Sequence, residues 1–522
     1  MDIAYDGRAV VVRTRDPEKI TQVIPKSHIV NEVVTPKGRG YEVAVFWSLP
    51  NAKILRNLGF KNTPSPIERH YDWPGLYTPF QHQRTTAGFL TLHQRAFCLN
   101  DMGTGKTMSV IWAADFLMKK QIIKRVLIVC PLSIMDSAWR TDLFKTAMHR
   151  RVDIAHGTKD KRVKVIQSDA EFVIINYDGV ESVRNEIAAG GFDLIVCDEA
   201  SALKTATTRR WKALNSLIKQ DTWLWLLTGT PAAQSPMDAY GLAKIMNPKS
   251  VPHVMGLFRD KVMLKVSTFS YIPKPEAQSI VYEVLQPAIR FTKEECLDLP
   301  DMTYTERDIP LTAQQKKYYD LLKKEALFQA AGEDVSAINA AIQMNKLLQI
   351  SSGAAYSDTG EVIEFDCTNR LRETAEVIRQ SSHKTLIFAN FKHAITTLKS
   401  YLDSEGISSE VIHGGISATK RTAIFHDFQQ TDKVQVLIIQ PQAASHGVTL
   451  HAANTIVWWG PITSAETYLQ ANARVHRAGQ KNPCTVVHMV GSTVERKLYK
   501  ALGNRTMSQA LLLQMYKELT QA

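Results

Sequence analysis

The sequence has few cysteines and no long apolar run, and both shortages narrow the class of protein. The cysteines have neither the close pairs of a zinc site nor the density of a disulfide scaffold, which favours a reducing compartment; they are Cys98, Cys130, Cys197, Cys296, Cys367 and Cys484. No apolar stretch approaches the ~18 residues that cross a bilayer. The first residues lack the basic and then apolar layout of a signal peptide. We therefore expect a cytoplasmic protein with no membrane partner.

Chain length and net charge limit the number of domains and the class of binding partner. A chain of 522 residues exceeds what one hydrophobic core supports, so about three domains are expected. The formal net charge of +12 at pH 7 favours a polyanionic partner. Many basic proteins bind no nucleic acid, so the charge supports this class of partner without establishing it.

Short β-branched runs alternate with helical stretches, which indicates βαβ units and parallel sheets. The predicted strands form two groups: 126–130, 172–176, 194–197 and 223–227, then 385–388, 434–439 and 455–459. Between the groups, 314–331 and 336–350 have helical periodicity and little strand signal. Near the beginning of the chain, 9–13 and 42–47 are strand-like and each precedes a possible helix, so we expect a small α+β module there.

The segment 99–107, Leu-Asn-Asp-Met-Gly-Thr-Gly-Lys-Thr, is the most informative feature. It follows a helix-like segment and precedes an apolar run. Two glycines allow successive N–H groups to face a phosphate, Lys106 can reach the terminal phosphates, and the Thr107 hydroxyl can bind Mg²⁺. Asn100 stands where a phosphate loop usually has its first glycine, so a glycine turn before an ordinary helix is the alternative. The predicted nucleotide-binding residues of the loop are Met102, Gly103, Thr104, Gly105, Lys106 and Thr107.

An apolar run that ends in two carboxylates follows at 192–201. This pattern predicts a buried parallel strand with Asp198 and Glu199 at its carboxyl end, the edge where open α/β sheets bind ligands. Asp198 would hold Mg²⁺, and Glu199 would orient and deprotonate the attacking water. An acidic helix cap after a core strand is the alternative interpretation. Together with the phosphate loop, the pair indicates an NTPase site.

A glutamine and two arginines, Gln470, Arg474 and Arg477, have spacings that would share one face of a helix. The fixed guanidinium fork suits the charge that develops on a γ-phosphoryl group during transfer. A solvated basic helix face is the alternative. In a chain with a phosphate loop, an Asp-Glu pair and a second α/β sheet, we expect the arginines to come from that second sheet.

The ordered set of segments resembles the Swi/Snf-type DNA translocases, a branch of the superfamily-two helicase-like motors. The resemblance extends over about 77–500 and is carried by 80–83, 101–107, 129–133 with Trp139, 198–205, 227–231, 299–300, Gln314, 318–319 and 474–480. The closing Arg-x-x-Arg-x-Gly-Gln and the Leu-Thr-Gly-Thr-Pro of 227–231 are specific in combination. The chain departs from the family pattern at Asn100 and at Ser201, where histidine is common.

The resemblance implies a role for each matching position. Gln83, or alternatively Gln81, would read the adenine edge, and Gln470 would join the nucleotide-binding residues. Arg474 and Arg477 would be arginine fingers. The implied contacts with a nucleic-acid backbone, for each of which a turn or capping role is the alternative, are Pro131, Leu132, Ser133, Thr228, Thr230, Asn390, Phe391, His413 and Gly414.

The implied fold has two tandem RecA-like parallel-sheet lobes, a helical insertion and a small N-terminal α+β module. We expect the module at 1–70, the ATP-binding lobe at 71–247, the linker and insertion at 248–365, and the second lobe at 366–522. The implied function is that of a compact bacterial or phage motor that uses ATP and Mg²⁺ to move along double-stranded or branched DNA. We expect a monomer with a protein partner that the sequence does not identify, and a module that selects the substrate.

Three other classes remain open at this point. One is a strand-separating DNA or RNA helicase of the same superfamily. Another is a motor that displaces a protein bound to nucleic acid. A catalytically silent DNA-binding scaffold is disfavoured by the intact set Lys106, Asp198, Glu199, Arg474 and Arg477.

Overall fold

The computed structural model describes residues 2–4, 6–35, 38–232, 235–266, 271–296, 299–330, 337–356, 362–444, 448–504, 511 and 515. The chain folds into two units. The first comprises 1–101, 105–229 and 285–292, and the second comprises 102–104, 230–284 and 293–522. Over the described ranges, no helix has the length and apolar character that a membrane crossing requires.

The strands alternate with helices along most of the chain. The strands are β1 (Asp2–Ala4), β2 (Ala9–Thr14), β3 (His28–Thr35), β4 (Gly38–Phe46), β5 (Arg95–Cys98), β6 (Val126–Cys130), β7 (Val152–Ala155), β8 (Phe172–Asn176), β9 (Leu194–Asp198), β10 (Trp223–Leu227), β11 (Met263–Lys265), β12 (Tyr271–Pro273), β13 (Ala288–Ile289), β14 (Met302–Asp308), β15 (Ala354–Tyr356), β16 (Val362–Glu364), β17 (Lys384–Phe388), β18 (Ser409–Ile412), β19 (Val436–Ile439), β20 (Ala453–Trp458) and β21 (Cys484–Val490). The helices are α1 (Glu18–Thr21), α2 (Leu49–Asn57), α3 (Ile67–His70), α4 (Gln81–Leu92), α5 (Lys106–Lys119), α6 (Thr141–Thr146), α7 (Lys159–Ile166), α8 (Tyr177–Ser182), α9 (Arg184–Ala189), α10 (Arg209–Asn215), α11 (Asp238–Met246), α12 (Met255–Val262), α13 (Ala277–Val284), α14 (Lys293–Cys296), α15 (Ala313–Ala330), α16 (Ala337–Ser351), α17 (Thr368–Gln380), α18 (Lys392–Ser404), α19 (Ala418–Gln430), α20 (Pro441–Ala444), α21 (Ala465–Asn472) and α22 (Thr493–Gly503).

The first unit is built on a parallel sheet in the order β13-β5-β10-β9-β6-β8-β7. Every residue of β6, β9 and β10 is buried. Continuous apolar strands of this kind are typical of a parallel sheet that is covered on both faces. The strands predicted at 126–130, 172–176, 194–197 and 223–227 are confirmed as β6, β8, β9 and β10.

The second unit contains another parallel sheet, in the order β14-β21-β20-β17-β19-β18. The strands predicted at 385–388, 434–439 and 455–459 are confirmed as β17, β19 and β20, with ends that differ by one or two residues. The helical periodicity of 314–331 and 336–350 is confirmed by α15 and α16. The chain therefore has two parallel-sheet α/β lobes, as the sequence predicts.

A small antiparallel sheet in the order β1-β2-β4-β3 begins the first unit. One face packs against α1 and α2 around a small apolar cluster that includes Val10, Val45 and Trp47. The ammonium group of Lys53 on α2 lies 4.3 Å from the ring centroid of Trp223, the first residue of β10. The small sheet is thus fixed to the larger sheet of its unit at the amino end of a core strand.

Twelve of the described strands were not among those predicted, and for two of them, β13 and β14, the physical reason is plain. β13 has two residues, too few for a sequence pattern, and is paired with β5. β14 is polar and mostly exposed, so it lacks the apolar alternation of a half-buried strand, and it pairs along its whole length with β21. The helix-like segment predicted before the phosphate loop is α4, and the strand β5, which was not predicted, lies between α4 and the loop.

Candidate active site and nucleic-acid surface

One group of predicted residues follows, along the chain, the carboxyl ends of adjacent parallel strands in the sheet of the first unit. β5, β10, β9 and β6 are neighbours in the sheet, and their carboxyl ends lie at one edge. The residues that follow these ends along the chain are 102–107 after β5, Thr228 and Thr230 after β10, Asp198 and Glu199 at the end of β9, and Pro131–Ser133 after β6. This is the edge at which open α/β sheets bind ligands.

The phosphate loop turns into α5 through glycines with left-handed backbone. Gly103 has φ +84° and Gly105 has φ +76°, which favour residues without a Cβ. A Cβ on Gly105 would lie 2.1 Å from Nε2 of Gln83, so another residue there would displace the glutamine side chain and strain the backbone. Thr104 is buried, and Met102 and Thr107 are half-buried. The loop therefore has the open backbone that phosphate binding requires.

Lys106 is the first residue of α5 and its ammonium group bends back over the loop. Its Nζ donates to the carbonyl oxygens of Asn100 at 2.9 Å and of Asp101 at 3.1 Å. A lysine that caps its own loop carbonyls at the N-terminus of a helix is placed where an anion would bind. The side chain of Gln83 accepts from the Phe80 amide at 2.9 Å, which fixes the glutamine at the start of α4.

Asp198 ends β9 with its side chain buried. Its Oδ2 accepts from the indole Nε1 of Trp139 at 2.9 Å, and its Oδ1 accepts from the Glu199 amide at 2.9 Å. Burial raises the pKa of Asp198, and the Lys106 charge and these two hydrogen bonds oppose the rise. The next residue, Glu199, is half-buried and has φ +50°, a conformation that costs energy in a residue with a side chain.

Two aromatic side chains that support Asp198 were not assigned roles by sequence reasoning. Trp139 holds the carboxylate, and the buried hydroxyl of Tyr177 donates to the Asp198 carbonyl oxygen at 2.8 Å. Trp139 belongs to the motifs that carry the family resemblance, which was the available signal. Tyr177 gave no signal, because nothing local to 177 indicates a contact with β9.

The residues present fit a nucleotide phosphate with its cation. Gly103 and Gly105 carry no side chain beside the loop amides, and Lys106 supplies a positive charge there. Asp198 uses two of its four lone-pair positions on N–H donors, which leaves capacity for a cation. In the described part of the chain, no cluster of three or more His, Cys, Asp or Glu could hold a metal alone. Mg²⁺ characteristically takes one or two carboxylates and completes its shell with phosphate oxygens and water.

The other candidate residues of the first edge differ in exposure. In the turn that follows β6, Leu132 is exposed, and Pro131 and Ser133 are both half-buried. Thr228 is buried, and its amide donates to the Cys98 carbonyl oxygen at 3.1 Å, while Thr230 is half-buried. The turn after β6 is thus the more accessible of the two candidate contact regions.

The arginines of the second unit do not share a helical face, so that prediction was wrong. α21 ends at Asn472, whose Oδ1 accepts from the buried Nε1 of Trp458 at 3.0 Å. Arg474 and Arg477 lie beyond this end, in a segment of turns. Gln470 remains on α21, where it is buried and donates to the Glu466 carboxylate at 3.4 Å.

The segment 473–480, which we call the arginine loop, is held by contacts with distant parts of its unit. The Arg474 carbonyl oxygen accepts from the Leu450 amide at 2.8 Å. The ring Nε2 of His476 donates to the Pro300 carbonyl oxygen at 2.8 Å, and Gln480 donates to the Ala453 carbonyl oxygen at 2.8 Å. Arg474 and Arg477 are half-buried, so a loop of fixed backbone carries both guanidinium groups.

The remaining candidates follow strands of the second sheet at its carboxyl edge. Asn390 and Phe391 follow β17, and His413 and Gly414 follow β18, with β19 between these strands. Gly414 is exposed and the other three are half-buried. The Arg421 guanidinium donates to the His413 carbonyl oxygen at 3.4 Å, which supports the turn after β18.

Comparison with known protein families agrees with this arrangement. A model of the SNF2-related domain matches residues 82–353, more than half of the chain, and a model of the helicase conserved C-terminal domain matches 369–479. The chain belongs to the SNF2-related family. With both domains present, the chain has the domain composition of an ATP-hydrolysing enzyme of the helicase type.

Relatives and solved structures of this family vary in how much of their length they share with the chain. Chromodomain-helicase-DNA-binding protein 1-like of Mus musculus is 23% identical over 427 residues, which are 78% of this chain and 46% of that protein. Protein p41 of Acyrthosiphon pisum secondary endosymbiont phage 1 is 23% identical over 477 residues, which are 84% of this chain and 99% of that protein. The Sulfolobus solfataricus SWI2/SNF2 ATPase core in complex with dsDNA has 21% identity and a TM-score of 0.41, and the match covers 83% of this chain and 92% of that one. The chain spans less than half the length of the first curated relatives that it matches.

Proposed function

We propose that this SNF2-related chain is an ATP-dependent translocase that moves along double-stranded DNA without separating its strands. The observation that supports this most is the concentration of candidate residues in loops at the carboxyl edges of both parallel sheets. One edge combines a glycine-containing loop, a lysine and a buried aspartate, and both edges carry turns suited to a phosphate backbone.

Hydrolysis requires the first edge. Lys106 and the loop amides bind the phosphates of ATP, and Thr107 and Asp198 hold the Mg²⁺. When bound, Mg²⁺ neutralises phosphate charge and favours attack by water. Glu199 orients that water and takes its proton on the side-chain carboxylate. The positive φ of Glu199 ends the extended backbone of β9 at this residue.

Nucleotide choice and transition-state charge are assigned to residues of both units. Gln83 reads the adenine edge, and Gln470 belongs to the nucleotide-binding set. Arg474 and Arg477 stabilise the charge that develops on the transferred phosphoryl group, for which a rigid, permanently charged guanidinium is suited. Their loop is fixed by backbone contacts, so little ordering is needed before the arginines act.

DNA is held through its phosphates. Pro131, Leu132, Ser133, Thr228 and Thr230 belong to one contact region, and Asn390, Phe391, His413 and Gly414 belong to the other. Contacts with phosphates carry no base identity, so binding is independent of sequence and weakens as salt is raised. The net charge of +12 strengthens such binding. Branched DNA offers the same backbone and is included as a substrate.

The domain division 1–70, 71–247, 248–365 and 366–522 is part of this proposal. The boundaries after 247 and after 365 assign hydrolysis to the first lobe and the arginine loop to the second. The N-terminal module is assigned to substrate selection. It lies against the amino end of β10 through Lys53 and Trp223, so a partner bound there would leave the carboxyl edge of its sheet accessible.

The test is the ATPase rate without nucleic acid and with plasmid duplex, single-stranded DNA, forked DNA and structured RNA. We expect duplex or forked DNA to give the strongest stimulation. Stimulation by single strands or RNA alone would instead indicate a strand-separating helicase. Absence of stimulation by every nucleic acid would contradict a DNA-driven motor and point to a protein trigger. Lys106→Ala in parallel identifies any contaminating ATPase.

A further inference from the structure

Asn100 occupies the place of the usual first glycine of the phosphate loop, and its buried side chain joins three segments of the first unit. Its Nδ2 donates to the hydroxyl of Thr86 on α4 at 2.9 Å, and its Oδ1 accepts from the Phe291 amide at 3.0 Å. Its own carbonyl oxygen accepts from Lys106. Asn100 is 1% exposed, so none of these groups has water as a replacement partner.

The two neighbours of this amide require opposite hydrogen-bonding roles. The Thr86 hydroxyl already donates its only hydrogen to the His82 carbonyl oxygen at 2.8 Å, so towards residue 100 it can only accept. The Phe291 amide can only donate. Residue 100 must therefore present one donor and one acceptor, which an amide does and neither a carboxylate nor a glycine can do.

The segments joined at Asn100 all bear on the proposed nucleotide site. α4 carries Gln83, whose side-chain amide occupies the place that a Cβ on Gly105 would take, so α4 packs against the loop through this side chain. The segment 285–292, which we call the connector, contains β13 and pairs with β5 and its extension, where the Leu99 amide donates to Ile289 and the Asp101 amide donates to Phe291. A shift of α4 or of the connector would therefore move the carbonyl groups that hold Lys106.

We propose that Asn100 is a positioning residue that keeps α4, the connector and the phosphate loop in one register. The inference rests on the proposed nucleotide site, because it assigns Asn100 a role in the geometry of that site. Asn100 contacts neither substrate nor reacting atoms in this role. It acts through Thr86, Phe291 and Lys106.

The first readout is hydrogen exchange of the connector in the nucleotide-free protein. Asn100→Leu removes both the donor and the acceptor, and we expect exchange at the Phe291 amide to become at least about tenfold faster. Asn100→Asp keeps the acceptor, so exchange there should remain within about threefold of the unchanged protein. Equal exchange in all three proteins would overturn the proposed contact.

The second readout is kcat/KM for ATP in a matched pair of variants on α4. Thr86 and Thr91 are both 0% exposed, and each hydroxyl donates to a carbonyl oxygen of its own helix at 2.8 Å. Thr86→Val leaves the Asn100 amide without its acceptor, whereas Thr91→Val makes the same chemical change away from the loop. We expect similar losses in melting temperature, with kcat/KM reduced about tenfold in Thr86→Val and Asn100→Asp and within about twofold in Thr91→Val.

The conservative variant Thr86→Ser keeps the hydroxyl, and we expect it to retain kcat/KM within about twofold. Equal kinetic losses in Thr86→Val and Thr91→Val would show a purely structural role and overturn the proposal, as would an unchanged kcat/KM in Asn100→Asp. Lys106→Ala distinguishes this failure from failure of the site itself. If Lys106→Ala is inactive while Asn100→Asp is unaffected, only the positioning role is wrong; if Lys106→Ala is active, the nucleotide site is wrong.

Discussion

The two parallel sheets present their candidate chemistry in different ways. In the first unit, Asp198 is the last residue of β9 and Lys106 is the first residue of α5, so regular elements place both charges. In the second unit, Arg474 and Arg477 lie beyond the end of α21, in a loop held by contacts with Leu450, Pro300 and Ala453. Chemistry at the end of an element is visible in local sequence, whereas chemistry in a loop depends on residues far along the chain.

The buried ionic groups of the two units also differ, in the number of partners that each charge has. In the first unit, the Asp115 carboxylate on α5 accepts from Tyr71, His149 and Arg150. In the second unit, Arg370 and Glu495 form a buried ion pair, with side chains 3% and 0% exposed, and Glu495 also accepts from the Gly491 amide and the Ser492 hydroxyl. The first carboxylate has several partners, so loss of one donor leaves others. In the second pair each charge has one oppositely charged partner among the described residues, and we expect the pair to tolerate loss of a charge less.

The largest expected effect separates the first edge from every other part of the chain. Lys106→Ala should lower ATP turnover by more than about a thousandfold, because the phosphates lose their main counter-charge. DNA binding should be largely unchanged. Lys120→Ala, at the other end of α5, is the matched control and should stay within about twofold. Near-normal turnover in Lys106→Ala, measured as phosphate release, would contradict the assignment of the nucleotide site.

The arginine loop should show an effect of transition-state type. Arg477→Ala is expected to lower kcat by about a thousandfold while the Kd for ATP changes by less than about threefold. Arg477→Lys should not restore the rate, since an ammonium lacks the planar fork. Single-turnover kinetics and equilibrium ATP binding measure the two quantities. A collapse of ATP affinity would make Arg477 a ground-state ligand and erase the functional difference between the two edges.

Glu199→Gln sharpens the comparison within the first edge. Glutamine keeps the size of the side chain but cannot take a proton, so we expect about a hundredfold slower hydrolysis with ATP still bound. The variant should accumulate the enzyme–ATP complex in a filter-binding or quench experiment. Rapid hydrolysis by Glu199→Gln would contradict the role as base, although the Lys106 and Asp198 assignments would stand.

The second unit should be the more sensitive to loss of a buried charge. Glu495→Gln leaves the Arg370 guanidinium buried without its counter-charge, which typically costs about 3–5 kcal/mol. Urea-dependent hydrogen exchange of α17 and α22 measures this locally. Arg150→Met in the first unit should cost less, because Asp115 keeps Tyr71 and His149 as partners. Equal losses in the two variants would contradict the difference between the networks.

The smallest expected effect is a pH dependence of the first unit. Burial alone would raise the pKa of Asp115, but hydrogen bonds from Tyr71, Arg150 and His149 and the charge of Arg150 lower it overall. A lowered pKa gives stability that is present above about pH 4 and is lost as the pH falls below it. The stability difference between the unchanged protein and Asp115→Asn should therefore be smaller below about pH 4 than at about pH 6 in urea titrations. A difference that grows on acidification would contradict this sign.

Sequence reasoning identified what local pattern determines. The runs that became β6, β9 and β10 are continuously apolar, and the phosphate loop and Asp198-Glu199 pair are contiguous motifs. It missed β14, whose polar residues are ordered by pairing with β21, and it extended α21 past Asn472. The contacts made by the Asn100 amide, by the Trp139 indole and between Arg370 and Glu495 join segments far apart in sequence. No local pattern predicts these contacts, although Trp139 itself belongs to a motif of the family resemblance.

The most direct test of the proposed function is displacement of a labelled third strand from a duplex. A motor that moves along double-stranded DNA should release the third strand when ATP is added and leave the two duplex strands paired. Lys106→Ala should release neither the third strand nor a duplex strand. Separation of the duplex strands by the unchanged protein, or no release of the third strand while ATP is hydrolysed, would contradict translocation along double-stranded DNA.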